Sequence, residues 1–331
     1  MASGYPGAAK GSLKSSRDDR ERPDRERRRS AVRNRDVAAV IPAVFGRRRL
    51  TVRRFDAHCD AWVDAPSDGA PLDGAAVEVH ELSVSTFNVW NKAFFAEQRY
   101  QALAGLLQCD RPDVMVFQEV TAAAQTVLLE QPWVREGYRC VGVVGGRIGG
   151  YGMLVLSRLP IVTATFSPLP SRRRRSFVQA DLAVNGRTLR ICSVHLESGQ
   201  DGAWLRAWQL RRVCRAVSAD QAVILGDFNL RDGEERWIAP AYRDVWPALH
   251  PQDPGFTENS WTNPMLRDSK KKPRQLRFDR VLIKGADWVP TDMAMLGTEP
   301  ISPELPRVFP SDHFGLQCRL RTGDPGCVTE R

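Results

Sequence analysis

Six segments of the chain deliver a polar, chemically capable side chain at or near the end of a short apolar run. Asn88 follows SVSTF, Glu119 follows VMVFQ, His195 follows ICSV, Asp227 and Asn229 follow VILG, Asp279 lies in LRFDRVLI, and Asp312-His313 follow FPS. One such residue is an ordinary turn former or strand cap. Six carboxylate-, amide- and imidazole-bearing segments make a single acidic pocket if the strand ends converge on one rim. Carboxylates and amides without thiols are hard oxygen ligands suited to Mg²⁺, with Mn²⁺ as an alternative, and Glu119 is the first candidate ligand. A histidine near an aspartate stabilises charge on a phosphoryl group or moves a proton near neutral pH. The chemistry expected of such a pocket is metal-assisted hydrolysis of a phosphate ester.

The elements that must carry these groups are short β-like runs with a few amphipathic segments between them. The spacing predicts strands at 79–89, 113–120, 151–157, 161–166, 176–184, 188–196, 222–229 and 276–283, and after Ser311. Helices are predicted at 96–108, ended by Arg111-Pro112, and at 204–217. Strands outnumber helices and come in consecutive runs, so the expected class is α+β, a layered sandwich, and not strict βαβ alternation.

The 331 residues are 42% hydrophobic and 26% charged, and 48 Lys+Arg against 39 Asp+Glu leave a net charge of +9. A basic surface suits polyanions such as nucleic acid or phosphorylated small molecules. The charge is uneven: residues 1–36 hold 11 Lys/Arg and 6 Asp/Glu, or +5, leaving +4 for the rest. That segment alternates signs, cannot bury a core, and reads as a disordered tail; Arg27-Arg28-Arg29 is a candidate nuclear import signal or nucleic-acid tether, but a solvated tail with no partner is the favoured reading. Residues 37–76 read as a linker, 77–321 as the catalytic domain and 322–331 as a tail. No apolar run approaches the ~20 residues of a membrane span. Seven scattered cysteines fit a reduced intracellular compartment better than a disulfide framework. Two basic loops, Arg172–Arg175 and Lys270–Lys272, are candidate contacts to a phosphate backbone, although each is equally explained as a solvated turn.

The ordered set TFN (86–88), QEV (118–120), HLES (195–198), GDFNLRD (226–232), FDR (278–280) and SDH (311–313) resembles the endonuclease/exonuclease/phosphatase superfamily. Within it, the chain looks most like the 5′-tyrosyl-DNA phosphodiesterases, on GGYGM (149–153), WQL (208–210), LRD (230–232), DVW (244–246) and the closing FPSDHFGLQCRL. The resemblance implies a DNase I-like four-layer α/β sandwich, in which two mixed, mostly antiparallel sheets are flanked by helices. It also implies Mg²⁺-dependent action on DNA 5′ ends that carry a tyrosyl peptide, with RNA as an alternative substrate; the chain is expected to be a monomer in the nucleus, with mitochondrial and cytoplasmic locations as alternatives. Carried over by residue, Glu119 binds Mg²⁺, with Asp312 in or beside the metal site, and Asn88 joins the phosphate or metal shell. Asp227, oriented by Asn229, activates water; His195 and His313 donate to phosphoryl oxygens, and Asp279 orients His313. Arg231 and Ser198 contact the phosphate, while Tyr151, Trp261 and Phe278 pack on the terminal nucleotide. Thr262-Asn263 stand where the resemblance implies an Asp after Trp261. The rival readings are an inositol-polyphosphate 5-phosphatase, an abasic-site endonuclease, and a non-catalytic nucleic-acid-binding module on the same scaffold.

Overall fold

The computed structural model describes residues 46–65, 78–145, 148–269 and 272–323. The first strands are β1 (Arg48–Arg49), β2 (Arg53–Asp56), β3 (Ala61–Asp64), β4 (Glu81–Asn88), β5 (Val114–Val120), β6 (Arg139–Val143), β7 (Gly152–Ser157) and β8 (Ile161–Pro168). They are followed by β9 (Ser176–Val184), β10 (Arg187–His195), β11 (Ala222–Asp227), β12 (Arg243–Asp244), β13 (Glu258–Asn259), β14 (Gln275–Leu276), β15 (Asp279–Lys284), β16 (Trp288–Leu296) and β17 (Gly315–Thr322). Among the described residues one sheet runs β1-β8-β9-β10-β11-β15-β12 and the other β16-β17-β4-β5-β7-β6-β2-β3, with β13 and β14 as a separate pair. The sheets are mixed and mostly antiparallel: β10 with β11 and β4 with β5 run parallel.

The period-two pattern of the strands decides the layers. On β5, Val114 and Val116 face the other sheet and pack in one core with Val178, Ile191, Val223 and Val281. Their alternates Met115 and Phe117 face outward, against Tyr100, Leu103 and Leu107 of α1 (Ala96–Asp110) and Ala124 and Leu128 of α2 (Ala122–Leu129). Trp133 and Val134 of the short α3 (Pro132–Gly137) complete this outer layer. The first sheet does the same: Cys192, Val194 and Ile224 face outward onto Leu210 and Val213 of α4 (Ala203–Ala216). Helix, sheet, sheet and helix thus stack as four layers, as the resemblance implied. Each fully buried Val, Leu or Ile contributes roughly 1.5–3 kcal/mol, so this packing supplies the rigidity a site on the strand ends needs.

Three features differ from the sequence expectations. The stretch read as a linker contains β1, which pairs with β8, and the β2–β3 hairpin, which pairs with β6. Its arginines disguised a buried pattern. Leu50 and Val52 pack on the main core, and Phe55 meets Trp62 edge-on with ring centroids 5.8 Å apart. Charged residues on edge strands are a normal guard against further pairing. Second, LRFDRVLI is two strands: the backbone N–H groups of Phe278 and Asp279 turn to donate to Thr257 Oγ1, both at 3.1 Å. Third, β6 and β16 were not anticipated, and β17 extends one residue past the expected domain end at 321. The proposed tail at 1–36, residues 37–45 and 66–76 of the linker, residue 77, Lys270 and Lys271, and residues 324–331 of the proposed C-terminal tail lie outside the described residues.

Candidate active site

Register brings the site together. His195 ends β10, lies beside Asp227 at the end of β11, and Asp227 lies beside Asp279 at the start of β15. Asn88 ends β4 in the other sheet, and its Nδ2 donates to Asp227 Oδ2 at 3.0 Å, closing the rim across the two sheets. Gly226, at φ 141°, sits where a Cβ would collide with the Val194 backbone, so only glycine lets β11 approach β10 this closely before Asp227. Glu119 occupies a bulge between Gln118 and Val120 and has φ 58°. A non-glycine residue there costs about 1–3 kcal/mol, and such strain is typically retained where it aims a functional side chain.

The cleft at this rim measures about 580 Å³ and is lined by Glu119, Tyr151, His195, Ser198, Asp227, Asn229, Asp312 and His313, all expected from sequence. It is also lined by Arg172–Arg175, Glu258 and Arg274. Arg175 is the last of four arginines read as a loop, yet it is buried. It donates to His195 Nδ1 at 2.9 Å, Ser198 Oγ at 3.1 Å and the Tyr151 hydroxyl at 3.4 Å. A guanidinium has no acceptor, so His195 must present a lone pair at Nδ1 and carry its proton on Nε2. Burial, and then the Arg175 charge, hold the His195 imidazole below its ordinary range, which outweighs the pull of Asp227 and Glu119. His195 is therefore a neutral imidazole with a buried Nε2–H 3.2 Å from Asp227 Oδ2, poorly aligned for bonding within the protein.

Asp227 is the electrostatic centre. Burial alone would raise its carboxyl, but the nearby His195 Nε2–H and the charges of His313 and Arg175 together hold it well below the usual carboxylate range. Its Oδ1 accepts the Asn229 backbone N–H at 2.9 Å, so Asn229, at φ 51°, orients Asp227 through its main chain. The Asn229 side chain instead donates to the Leu196 carbonyl at 3.3 Å. His313 is the charged counterpart of His195. Burial opposes its protonation, but Asp279 Oδ2 at 2.7 Å from Nδ1 and Glu258 Oε1 at 3.3 Å from Nε2 raise it well above the ordinary histidine value. Burial pushes the Asp279 carboxyl up to about 6, with the His313 cation opposing. The site thus pairs a neutral donor histidine with a cationic one around a carboxylate that stays ionised.

Glu258 and Arg274 were not anticipated. They form an ion pair, and Glu258 is 2% exposed beside His313. The short segment FTENSW carries neither an apolar run nor a strand signal, so only the β13–β14 pairing reveals its place. Arg231 does not line the cleft; its guanidinium lies 5.6 Å from the Phe278 ring centroid, and Arg274 lies 5.7 Å from it. Phe278 itself is 2% exposed, which corrects its expected stacking role: its ring is already covered and supports the cleft wall. Trp261 is 66% exposed and stands outside the cleft lining, three residues beyond Glu258.

A metal would meet oxygen donors here. Ligand atoms of Glu258, Asp312 and His313 lie within 4.8 Å of one another, a possible metal site among the described residues in which the two carboxylates supply the oxygens and a protonated His313 has no lone pair to offer. Glu119, the first ligand expected from sequence, is not in that triplet but lines the same cleft, with Oε2 accepting the Asn91 N–H at 3.1 Å and Oε1 3.9 Å from His195 Nε2. Glu119 and Asp312 are hard carboxylate donors free of competing thiols, which fits a small divalent cation better than zinc.

The model of the endonuclease/exonuclease/phosphatase family matches residues 85–313, over half of the chain and spanning every strand-end group above. The chain belongs to the endonuclease/exonuclease/phosphatase family. Among this family's curated members it is 29% identical to tyrosyl-DNA phosphodiesterase 2 of Xenopus laevis over 285 residues, 80% of this chain and 74% of the relative. It is 29% identical to the human tyrosyl-DNA phosphodiesterase 2 over 239 residues, 67% of this chain and 63% of that protein. A solved Danio rerio TDP2 complexed with single-strand DNA product superposes with a TM-score of 0.66 at 24% identity, covering 74% of this chain and 100% of that one. The four-layer endonuclease/exonuclease/phosphatase fold is therefore common to both. No helix among the described residues is long and apolar enough to cross a membrane.

Proposed function

We propose that this chain is a divalent-metal-dependent phosphodiesterase that releases tyrosine from the 5′ end of DNA, leaving a 5′-phosphate. The observation that carries the reading is the convergence of two differently held histidines on one carboxylate at the cleft rim, His195 tied to Arg175 and His313 to Asp279. A neutral His195 with its Nε2–H toward the cleft and a cationic His313 flank one ionised carboxylate, Asp227. That set donates to two phosphoryl oxygens while a carboxylate holds water in line.

Asp227 accepts a hydrogen bond from the attacking water and takes its proton as the new P–O bond forms. Its low proton affinity suits it to orienting water more than to storing a proton beforehand. His195 Nε2–H and His313 Nε2–H stabilise the growing negative charge, the second once Glu258 yields its place to the phosphoryl oxygen. The bond to the tyrosyl oxygen breaks and its electron pair leaves on a phenolate with pKa of about 10, so no strong general acid is required. Asn88 and the Asn229 main chain keep the carboxylate aimed, and Arg175 with Ser198 faces the phosphate. Bound at Glu119 and Asp312, Mg²⁺ would neutralise phosphoryl charge, with Mn²⁺ able to substitute. Arg173, Arg174 and Arg274 line the cleft as a track for the nucleic-acid backbone, with Trp261 a stacking surface further out. The catalytic unit on this reading includes β1 to β3, acts as a monomer on DNA adducts in repair, and resides in the nucleus.

Three substrates assayed side by side test this: a 5′-phosphotyrosyl oligonucleotide, an abasic duplex and an inositol polyphosphate, each with Mg²⁺ and with EDTA. Tyrosine release only with metal, at rates far above the other two, is expected. Turnover of either rival without tyrosine release would refute the reading.

A further inference from the structure

The segment that follows Asn88 is built around a buried cation. Arg99, 0% exposed, lies on α1 and donates to the carbonyls of Val89, Trp90, Lys92, Phe94 and Pro310 at 2.7–3.2 Å. Its guanidinium also lies 4.9 Å from the Trp90 ring centroid. This knot holds two bulky residues in the left-handed region, Trp90 at φ 57° and Phe95 at φ 44°. Side chains of this size avoid that region unless their surroundings over-determine it, and such outliers cluster at ligand clamps.

What the knot displays is aromatic. Trp90 meets Phe94 at 6.4 Å between centroids, and Phe94 meets Phe95 at 4.8 Å, both edge-on. Phe94 is 49% and Phe95 37% exposed, while Trp90 and the exposed Lys92 line the catalytic cleft itself. A rigid, solvent-facing aromatic ledge beside a reaction centre is a binding surface in waiting, because its shape is fixed before a ligand arrives.

The occupant follows from the order of groups across the cleft. Asn91 N–H bonds Glu119, Glu119 Oε1 approaches His195, and His195 Nδ1 meets Arg175. The aromatic ledge and the Arg172–Arg175 loop therefore border the reaction centre on two sides, one from the end of β4 and the other from the turn into β9. The arginine side matches a polyanion. The ledge, whose own basic group in the cleft is Lys92, does not. A phosphotyrosyl diester has the same asymmetry: a nucleotide strand on one side of phosphorus and a peptide on the other.

We propose that Trp90, Phe94 and Phe95 form a subsite for aromatic and apolar side chains of the peptide that remains attached to the tyrosine. This rests on the phosphotyrosyl reading above and names the part of the substrate that reading leaves open. The test uses two 5′-phosphotyrosyl oligonucleotides whose peptides are of equal length, one with Phe and Leu flanking the tyrosine and one with Gly and Ser. Wild-type enzyme should prefer the apolar peptide in kcat/KM by about fivefold, the size of one good aromatic contact. Phe94→Ala, at a half-exposed position, should bring the two rates together by slowing the apolar one. An equal effect on both substrates, or no wild-type preference, would overturn the subsite. Weakened binding of the peptide-free 5′-phosphorylated oligonucleotide by Phe94→Ala would overturn it too, because the ledge would then be stacking a base. If neither peptide substrate is turned over, the phosphotyrosyl reading fails and the subsite with it.

Discussion

Asp279→Asn tests whether the charge of His313 is made by its neighbours. In the native site Nδ1 of His313 lies 2.7 Å from Asp279 Oδ2, in a buried setting that by itself would strip the proton from the ring. Two unit charges at that contact distance interact by about 6 kcal/mol at an effective dielectric of 20, an upper limit of about four to five pKa units that delocalisation over the ring and the carboxylate reduces. Glu258, 3.3 Å from Nε2, stays in the variant and retains part of the effect. A fall of about one to two units in the His313 pKa is therefore expected. The sign is fixed by linkage. A group whose folded pKa is raised adds stability that is complete below its unfolded value of about 6.5 and is lost as pH climbs through the folded value. Activity that needs the imidazolium should follow the same course. The alkaline limb of kcat/KM in the native enzyme should thus lie well above 6.5, and in Asp279→Asn it should move toward 6.5. At pH 8 the variant should lose up to about 30-fold in kcat, because a histidine titrating near its ordinary value of about 6.5 keeps only about 3% of its cation there. The assay is tyrosine release from pH 5.5 to 9.5, with thermal melts on the same samples. An alkaline limb that does not move, with a rate within tenfold of native, would refute the assignment of His313 as a cation held by Asp279.

Asp227→Asn should lower kcat by about 10³-fold or more while leaving affinity for a 5′-phosphorylated oligonucleotide within a few-fold, because water orientation is lost and the arginine side is not; near-native turnover would remove its proposed role. Arg175→Gln should release His195 to protonate and change tautomer, so a histidine titration followed by NMR should move upward and kcat should fall; an unmoved titration would contradict the tautomer argument. Gly226→Ala should destabilise the protein by about 3 kcal/mol or more, measured by denaturant unfolding, since the added Cβ collides with the Val194 backbone at a positive φ. A mild effect there would mean that β10 and β11 can separate without loss.

Much of the site was legible in the sequence because its groups sit at the ends of strands. The apolar runs VMVFQ, ICSV and VILG announce their strands by composition, and the residues that end them, Glu119, His195 and Asp227, are exposed as chemistry by that contrast. Arg175, Glu258, Arg274 and Arg99 lack any such frame. Arg175 closes a run of four arginines that looks solvated, yet the strand that starts at Ser176 opposite His195 turns it inward. Glu258 follows no apolar run, and its place beside His313 comes from pairing with a strand that begins 17 residues later.

The sequence by itself determined the two-sided strands, a layered α+β class, and which side chains arrive at the rim, because side-chain alternation and strand termini are local properties of the chain; the four layers were implied only by the family resemblance. It did not determine protonation. Two histidines with the same intrinsic chemistry have their proton affinities pushed apart, one down and one up, only because one is folded against Arg175 and the other between Asp279 and Glu258. Phe278 and Phe94 divide in the same way: both are aromatics near the site, but one is buried under Arg231 and Arg274 and the other is held out into solvent by Arg99. Charge state and exposure are set by neighbours distant in the chain, and those neighbours are chosen by the tertiary fold.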